Sequence, residues 1–315
     1  MDYVQSYRGW GRGLRRAVAD WYVDKVPDKL AQQLVKYKQR DGWSHQDAMR
    51  LSHPHPNTLD QSYLFRYAAK GELGDKTGVS ESLVQYMEAV VEIQGAAESR
   101  AIELIRLQQL PREVVPTSML NSAAVWEALL DKMPMTAMIR NLATMTRVGL
   151  LVPGAEATNK VVAILGEQEQ LRRARVHPMQ LLIALKTYAS GGGVRSTRTH
   201  TAVQKVVDAL DEAFYKAFGN VVPTNKKILL GIDWSGSMGS PEILPGIIPA
   251  YGAAAMALIT AASETNCDIV TFATSIKPVS VSPGMRLDQV HSITARGTGE
   301  GTDCSVPIRY ALSHN

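Results

Sequence analysis

Hydrophobic positions in residues 1–219 recur with the spacing of amphipathic helices. The first clear run places Val18, Trp21 and Tyr22 on one side of a 3.6-residue period. Further runs follow, separated by Pro and Gly, and we expect their tryptophans to be buried, namely Trp21, Trp43 and Trp126. The pattern predicts paired helices stacked as a solenoid, although no fixed sequence repeat accompanies it.

One helix has both of its ends marked in the sequence. Ser44 and Asp47 have the spacing of a capping box, in which the hydroxyl and the carboxylate accept hydrogen bonds from backbone amides of the first turn. The helix ends near His53, because Pro54 and Pro56 cannot continue it. The sequence therefore predicts a short helix between these two signals.

The pattern changes near residue 223. Residues 227–233 form a short apolar run that ends in a carboxylate, as in a buried parallel strand. An alanine-rich helix at 249–263 and a second strand follow. Strands that alternate with helices indicate an α/β domain. We therefore predict two domains, a helical one at 1–222 and an α/β one at 223–315.

The amino-acid composition excludes several classes of protein. Hydrophobic residues make up 45% and charged residues 20% of the 315 residues, which is typical of a globular chain and excludes a collagen-like or disordered one. The two cysteines, Cys267 and Cys304, exclude a disulfide scaffold. No apolar run reaches the ~18–20 residues of a membrane span and the first residues do not resemble a signal peptide, so we expect a cytoplasmic protein without membrane contact.

The net charge of +4 is mild, but it is unevenly distributed. Residues 1–220 carry 28 Lys and Arg against 23 Asp and Glu, and the cations concentrate at 8–16 and 36–40. Such basic segments are compatible with nucleic acid and are also common on solvated helix faces. If they bind nucleic acid, Lys36 and Arg40 stand four residues apart and would point from one helix face toward a phosphate backbone.

The other basic residues also have two interpretations, contact with nucleic acid or a structural role. His53 stands at the predicted end of a helix, where an imidazole bonds to a phosphate, stacks on a base, or only caps local carbonyls. Arg12, Arg15 and Arg16 span one helical turn and either contact nucleic acid or form an exposed basic face. The glycine-rich loop at 191–198 carries two Arg that would approach a phosphate, and a flexible loop without such a role accounts for it as well.

A candidate metal site follows directly on the first predicted strand. In open α/β sheets ligands bind at the carboxyl ends of strands, which is where Asp233, Ser235 and Ser237 stand. Carboxylate and hydroxyl oxygens at alternate positions can converge on a hard cation such as Mg²⁺, and a later loop adds the Thr302 hydroxyl. The competing interpretation is a turn whose carboxylate caps the next helix. We predict a Mg²⁺ site formed by these four side chains.

These motifs together resemble a known family. The metal loop is similar to the metal-ion-dependent adhesion site of von Willebrand factor A domains. The helical region is similar to the TROVE module of the Ro autoantigen family, in motifs that include Gly9-Trp10-Gly11-Arg12-Gly13, Lys36-Tyr37-Lys38-Gln39-Arg40, Gly42-Trp43-Ser44-His45, Trp126-Glu127-Ala128-Leu129 and Ala174-Arg175-Val176-His177-Pro178. The resemblance implies a ring or arc of HEAT-like helical repeats, followed by a partial, doubly wound von Willebrand A-like domain. It also implies binding of small noncoding Y-like RNA on the outer face, and of the 3′ ends of misfolded RNA in a central hole.

The resemblance also implies roles for individual residues. In the family, positions matching Lys36, Arg40 and His53 contact Y RNA. Their basic neighbours in this sequence are Lys38, His45 and Arg50. The family's metal site has one further Asp after a later strand, for which we find no candidate, and family members have additional helices before Arg12. We therefore expect a chain shortened at both ends, with an incomplete metal site and a second chain as a candidate for completing the A domain.

The expected function is RNA binding without catalysis. The sequence offers no nucleophile elbow, dinucleotide fingerprint or pair of catalytic carboxylates, so we expect a role in RNA quality control or stability, with a ribonuclease or another protein as a further candidate partner and no DNA. One alternative is a protein-interaction scaffold whose A-domain metal captures a partner's carboxylate. A metal-dependent nuclease is disfavoured, because one Asp with hydroxyls lacks the clustered carboxylates of two-metal chemistry.

Overall fold

The structure is a computed structural model that describes residues 9–193, 196–295 and 301–314, apart from the side chains of 193 and 196–198. The chain divides into two compact units, residues 1–133 and 134–315. The helices of residues 134–220 therefore share a unit with the strands that follow them. The domain boundary at 222/223, drawn from the change in sequence pattern, stays a prediction.

The described residues of the first unit form seven α-helices, two short 3₁₀ helices (Arg112–Val114 and Met119–Asn121) and one hairpin. Its elements are α1 (Arg12–Val23), α2 (Pro27–Lys36), β1 (Gln39–Arg40), β2 (Trp43–Ser44), α3 (His45–Ser52), α4 (Leu59–Lys70), α5 (Glu81–Glu92), α6 (Glu98–Gln108) and α7 (Ala123–Leu130). The core of this unit contains Trp126, which is fully buried as expected. Its Nε1 donates to the Leu120 carbonyl at 2.9 Å, so the buried indole has no unsatisfied donor.

The predicted capping box of α3 is confirmed. The Ser44 Oγ accepts from the Asp47 amide at 3.2 Å, and the Asp47 carboxylate accepts from the Ser44 amide at 3.0 Å. The helix ends at His53 in a left-handed conformation, with φ of 50°, and its amide donates to the Met49 carbonyl. The following Pro54 supplies no amide donor and explains why the helix stops there.

The prediction that a single helix carries both Lys36 and Arg40 on one face is wrong. Helix α2 ends at Lys36, and Arg40 lies in a hairpin in which it pairs with Trp43. The reason is the Asp41-Gly42 dipeptide, whose φ angles of 50° and 79° are those of a two-residue type I′ turn. Only a residue that accepts the left-handed region at low cost permits that turn, so a glycine follows the aspartate.

The second unit combines helices with a small sheet. Its elements are α8 (Met135–Arg147), α9 (Glu156–Gly166), α10 (Gln168–Arg173), α11 (Pro178–Ala189), β3 (Gly192–Gly193), β4 (Ser196–Thr199), α12 (Gln204–Lys216), β5 (Ile228–Asp233), α13 (Pro249–Ser263), β6 (Cys267–Phe272), β7 (Ile276–Pro278), α14 (Leu287–Thr294) and α15 (Val306–Ser313). The strand order is β5-β6-β7 in the sheet of three strands. The predicted fold class, a mainly helical chain followed by a partial α/β arrangement, is confirmed.

The sheet brings the carboxyl ends of two strands together. Strands β5 and β6 are parallel, with Ile228 opposite Cys267 and Asp233 opposite Phe272, whereas β7 returns antiparallel to β6. Parallel neighbours need a crossover connection, which α13 supplies between them. This helix buries a face of small and aliphatic side chains that includes Ala254 and Leu258. The loops after Asp233 and after β6 consequently lie at one edge of the sheet.

Polar contacts join the helices of the second unit to its α/β part. The Arg286 guanidinium is ion-paired with Asp211 of α12 and lies 4.1 Å from the centroid of the Tyr215 ring. The hydroxyl of Tyr215 accepts from the Leu287 amide at 3.0 Å, so it caps the start of α14. These contacts are why residues on both sides of the change in sequence pattern form one compact unit.

Candidate nucleic-acid interface and metal site

A run of cations begins where α2 ends and continues onto the hairpin. Lys36 is the half-buried last residue of α2, whereas Lys38 and Arg40 are exposed. The Arg40 Nε lies 3.7 Å from the Asp41 carboxylate, and both side chains are mostly in water. An ion pair of this kind contributes little, so the Arg40 guanidinium stays available for a phosphate.

A second group of cations lies at the far end of α3. Arg50 is exposed in its last turn, and the exposed His53 caps its C-terminus as the sequence predicted. The eight residues of α3 separate this group from the hairpin by roughly 12 Å, at 1.5 Å per residue. The predicted contacts therefore form two basic groups on one continuous segment, instead of a single helix face.

His45 points into the protein instead of outward. Its Nδ1 is hydrogen-bonded to the Tyr22 hydroxyl at 2.8 Å, and burial lowers the pKa of the imidazole despite the nearby Gln33 carbonyl. The imidazole also lies nearly parallel to the Trp21 ring, with centroids 6.3 Å apart. The structure thus joins His45 to an aromatic cluster and separates it from the exposed cations. As an RNA contact it stays a prediction without support from this geometry.

The expected burial of Trp21 is wrong, because 41% of this residue is exposed. The Lys25 Nζ lies 4.2 Å from its ring centroid, which is a cation–π contact. Trp43 is half-buried on the hairpin. The amphipathic pattern correctly places Trp21 on a helix, but it does not show which face of that helix other elements cover.

The three arginines of α1 share a face of that helix. Arg12, Arg15 and Arg16 are all exposed, and positions three and four apart are neighbours on a helix surface. Arg16 lies 3.8 Å from Asp20 in an exposed pair, which leaves the face net positive. The two arginines of the 191–198 loop lie outside the described side chains.

None of the helices in the described part of the chain has the length and apolarity needed to cross a membrane.

The predicted metal loop follows β5 in a compact turn. The Ser235 amide donates to Asp233 Oδ1 at 2.8 Å, and the hydroxyl oxygens of Ser235 and Ser237 lie 3.2 Å apart. Ser235 itself is buried. The amide contact is the turn expected from the competing interpretation, and the two adjacent hydroxyls are the donor arrangement expected from a metal site. One carboxylate and two neighbouring hydroxyls suit a hard cation.

The loop that contains Thr302 reaches the same edge of the sheet. The Asp303 amide donates to the Ala273 carbonyl at 2.9 Å, just after β6, and the Trp234 amide donates to Phe272 at 3.0 Å. Both loops are therefore hydrogen-bonded to the end of β6, so the exposed Thr302 lies at the same edge of the sheet as the serines. Among the residues the structure describes, no group of three or more His, Cys, Asp or Glu side chains could hold a metal ion. A metal here would depend on hydroxyl oxygens.

The Asp303 carboxylate is engaged by protein groups. Hydrogen bonds from the hydroxyl and the amide of Ser305, and then from Arg309, lower the pKa of Asp303 from its ordinary 3.8 to about 2. Because the pKa of Asp303 is lower in the folded state than in the unfolded state, the ionised carboxylate stabilises the fold. This stabilisation is present above about pH 4 and is lost as the pH falls toward 2. We expect the protection factors of backbone amides at the start of α15, which are exchange rates corrected for their intrinsic pH dependence, to fall over that range. Asp303→Asn should already exchange faster at neutral pH and show no further step, and an unchanged profile would contradict this assignment.

Comparison with known proteins places this geometry in a family. The TROVE domain matches residues 2–110 and 98–191, and the Ro60 vWA domain matches residues 227–315. The RNA-binding protein RO60 of Caenorhabditis elegans is 35% identical over 99% of this chain and 55% of its own length. The RNA-binding protein RO60 of Deinococcus radiodurans is 36% identical over 99% of this chain and 59% of its own length.

The chain belongs to the Ro60 family. The crystal structure of the Deinococcus radiodurans Ro protein superimposes with a TM-score of 0.84 at 36% identity, covering 99% of this chain and 63% of that one. The predicted resemblance to the Ro autoantigen family is thereby confirmed. The Ro60-family chain spans little more than half the length of the curated relatives that it matches.

Two features of the candidate interface of this Ro60-family chain escaped the sequence reasoning. The first is the hairpin, for which Asp41-Gly42 was the available signal, because this dipeptide is the strongest short-range mark of a type I′ turn. The second is Tyr37, a solvent-exposed ring between two lysines. Its position in the sequence reveals the basic neighbours but not the exposure, which depends on what packs against the end of α2.

Proposed function

We propose that this Ro60-family chain binds RNA through the surface formed by the end of α2, the hairpin and the end of α3. The observation that carries the proposal is the exposure of Lys38, Arg40, Arg50 and His53 on one continuous segment, with only Asp41 close to any of them as an ion-pair partner among the described side chains. Phosphates are the ligands that such cations recognise. The names of the two curated relatives support RNA as the nucleic acid.

The proposed RNA is a small, structured noncoding RNA of the Y type. Two groups of cations roughly 12 Å apart can follow the backbone of a folded RNA by its shape, without reading its sequence. The face of α1 formed by Arg12, Arg15 and Arg16 is proposed to contact single-stranded 3′ ends of misfolded RNA. Both assignments follow from the position and sign of the charges together with the family.

The proposed activity is binding and not catalysis. The exposed groups are cations spread over a surface, and their chemistry is that of phosphate contact. A radiolabelled RNA kept with the protein in Mg²⁺ should remain intact. Its cleavage would favour the nuclease alternative.

The RNA itself identifies the function most directly. We expect the purified chain to carry RNA, and sequencing after nuclease digestion should recover short segments that are protected by the basic surface. Structured noncoding RNA with protected 3′ ends would support both parts of the proposal. Preparations free of RNA that also fail to bind folded RNA in a filter assay would refute it.

A second candidate function rests on the metal loop. The neighbouring hydroxyls of Ser235 and Ser237 beside Asp233, with Thr302 close by, support a Mg²⁺ site whose open position would accept a carboxylate from a partner protein. We expect calorimetric titration with MgCl₂ to show binding that Asp233→Ala abolishes. Asp268→Ala, which removes an exposed carboxylate of β6, is the matched control and should bind normally. Chelator-sensitive protein binding without RNA would favour the scaffold over RNA binding.

A further inference from the structure

Tyr37 leaves an aromatic ring in solvent within the basic run of the candidate interface. Its amide donates to the Gln33 carbonyl at 3.0 Å, which fixes the backbone at the end of α2, while 42% of the residue stays exposed. The five residues 36–40 hold three cations and no acid. A large ring at such a place contributes little to the core, and its exposure is the feature to be explained.

The surroundings of Tyr37 differ from those of Trp21, which is exposed to almost the same degree. The Trp21 ring is covered by the Lys25 ammonium on one side and lies nearly parallel to His45. The Tyr37 ring has Lys36 Nζ at 5.6 Å from its centroid, and within the described part of the chain no aromatic ring stacks on it. Tyr37 therefore keeps a π-face that a ligand can cover, whereas Trp21 already uses its ring within the protein.

We propose that Tyr37 is a stacking site for an unpaired nucleobase of the bound RNA, with Lys36, Lys38 and Arg40 on the adjoining phosphates. This inference rests on the proposed RNA binding and adds the kind of RNA that the surface selects. Every base has a π-face, so a tyrosine accepts any of them, and cations beside the ring hold the backbone that carries the base.

The chemistry selects unpaired nucleotides over a continuous duplex. A base inside an A-form helix is already stacked on both faces, and only bases in loops, bulges and ends can be splayed onto a protein ring. Arg40 follows the ring by three residues and pairs with Trp43 beside the type I′ turn, so a cation lies close to the ring along the chain. The preferred ligand is thus a stem that carries unpaired nucleotides beside it.

The test compares two RNAs with two variants. One RNA is a fully paired stem, and the other is the same stem with a bulge that contains 2-aminopurine, whose fluorescence is quenched by stacking. We expect Tyr37→Leu to bind the bulged RNA roughly tenfold more weakly and the paired stem unchanged. Tyr37→Phe, which keeps the ring and removes the hydroxyl, should bind both RNAs as the wild type does.

Each outcome of this experiment supports or overturns the proposed stacking on Tyr37. Quenching by the wild type and by Tyr37→Phe but not by Tyr37→Leu supports stacking. Absence of quenching in the wild type overturns it, and this result needs no variant to fold. Equal loss on both RNAs also overturns it, because a role in shaping the surface would affect stem and bulge alike. Failure of the wild type to bind either RNA would instead refute the proposed function.

Discussion

Replacing Lys36 and Arg40 together by alanine is expected to weaken RNA binding roughly tenfold or more at low salt and to flatten its salt dependence. Each cation that neutralises a phosphate releases condensed counterions, so each contributes about one unit to the slope of log affinity against log salt. Lys36 ends α2 and Arg40 projects from the hairpin. Their loss should therefore reduce that slope by about two. Filter binding over a range of salt concentrations measures both quantities.

The matched control removes the same charge elsewhere in the first unit. Lys70 and Lys132 are both exposed and lie outside the segment from α2 to α3. The double variant Lys70→Ala, Lys132→Ala should keep the affinity and the slope of the wild type. If the two double variants lose affinity equally, binding depends on net charge alone and the proposed surface is wrong. Unfolding curves of all three proteins should be recorded alongside, because Lys36 is half-buried whereas the other three substituted residues are exposed, and exposed substitutions typically change stability by less than about 0.5 kcal/mol.

Truncating Trp126 to alanine is expected to cost about 3–5 kcal/mol of folding free energy in the first unit. The ring is 0% exposed and its Nε1 bonds to the Leu120 carbonyl, so the variant leaves a cavity and an acceptor that has lost its donor. The Arg112 guanidinium, 5.8 Å from the ring centroid, loses a cation–π contact as well. Urea denaturation followed by hydrogen exchange in residues 9–133 measures the loss.

The control for this prediction is the same substitution at an exposed tryptophan. Trp21→Ala removes a ring that is 41% exposed and leaves no enclosed cavity, so its cost should be clearly smaller. Trp126→Phe should fall between the two, because it retains most of the buried apolar surface but not the hydrogen bond. Equal destabilisation by the two alanine variants would show that Trp126 is not the centre of this core.

Elements with strong local signals were predicted closely. The capping box at Ser44 and the proline after His53 bounded α3, and the predicted alanine-rich helix coincides with α13. Strand β5 was recognisable because its residues are apolar up to Asp233, which is typical of a parallel strand, although in the structure only Ile232 of this strand is buried. In each case the information lies within a few consecutive residues, so it is present before the chain folds.

The candidate site was predictable in residue type and less so in geometry. The basic residues of the candidate interface and the oxygen donors after β5 were identified from the sequence, and the structure places the Thr302 loop at the same end of β6. The predicted helix face shared by Lys36 and Arg40 was wrong, because the Asp41-Gly42 turn places Arg40 in a hairpin instead of a helix. A two-residue turn of this kind changes the direction of the chain, and with it the direction of the neighbouring side chains.

The sequence alone determined many of the helices and the strand before the candidate metal loop, which residues carry charge, and to which family the chain belongs. Only the tertiary structure decided that His45 faces the Tyr22 hydroxyl while Tyr37 faces water. The physical reason is that exposure depends on the surface presented by distant segments, such as α1 against the start of α3. Helical periodicity gives the side of a helix on which a residue lies, and long-range packing decides whether that side is covered.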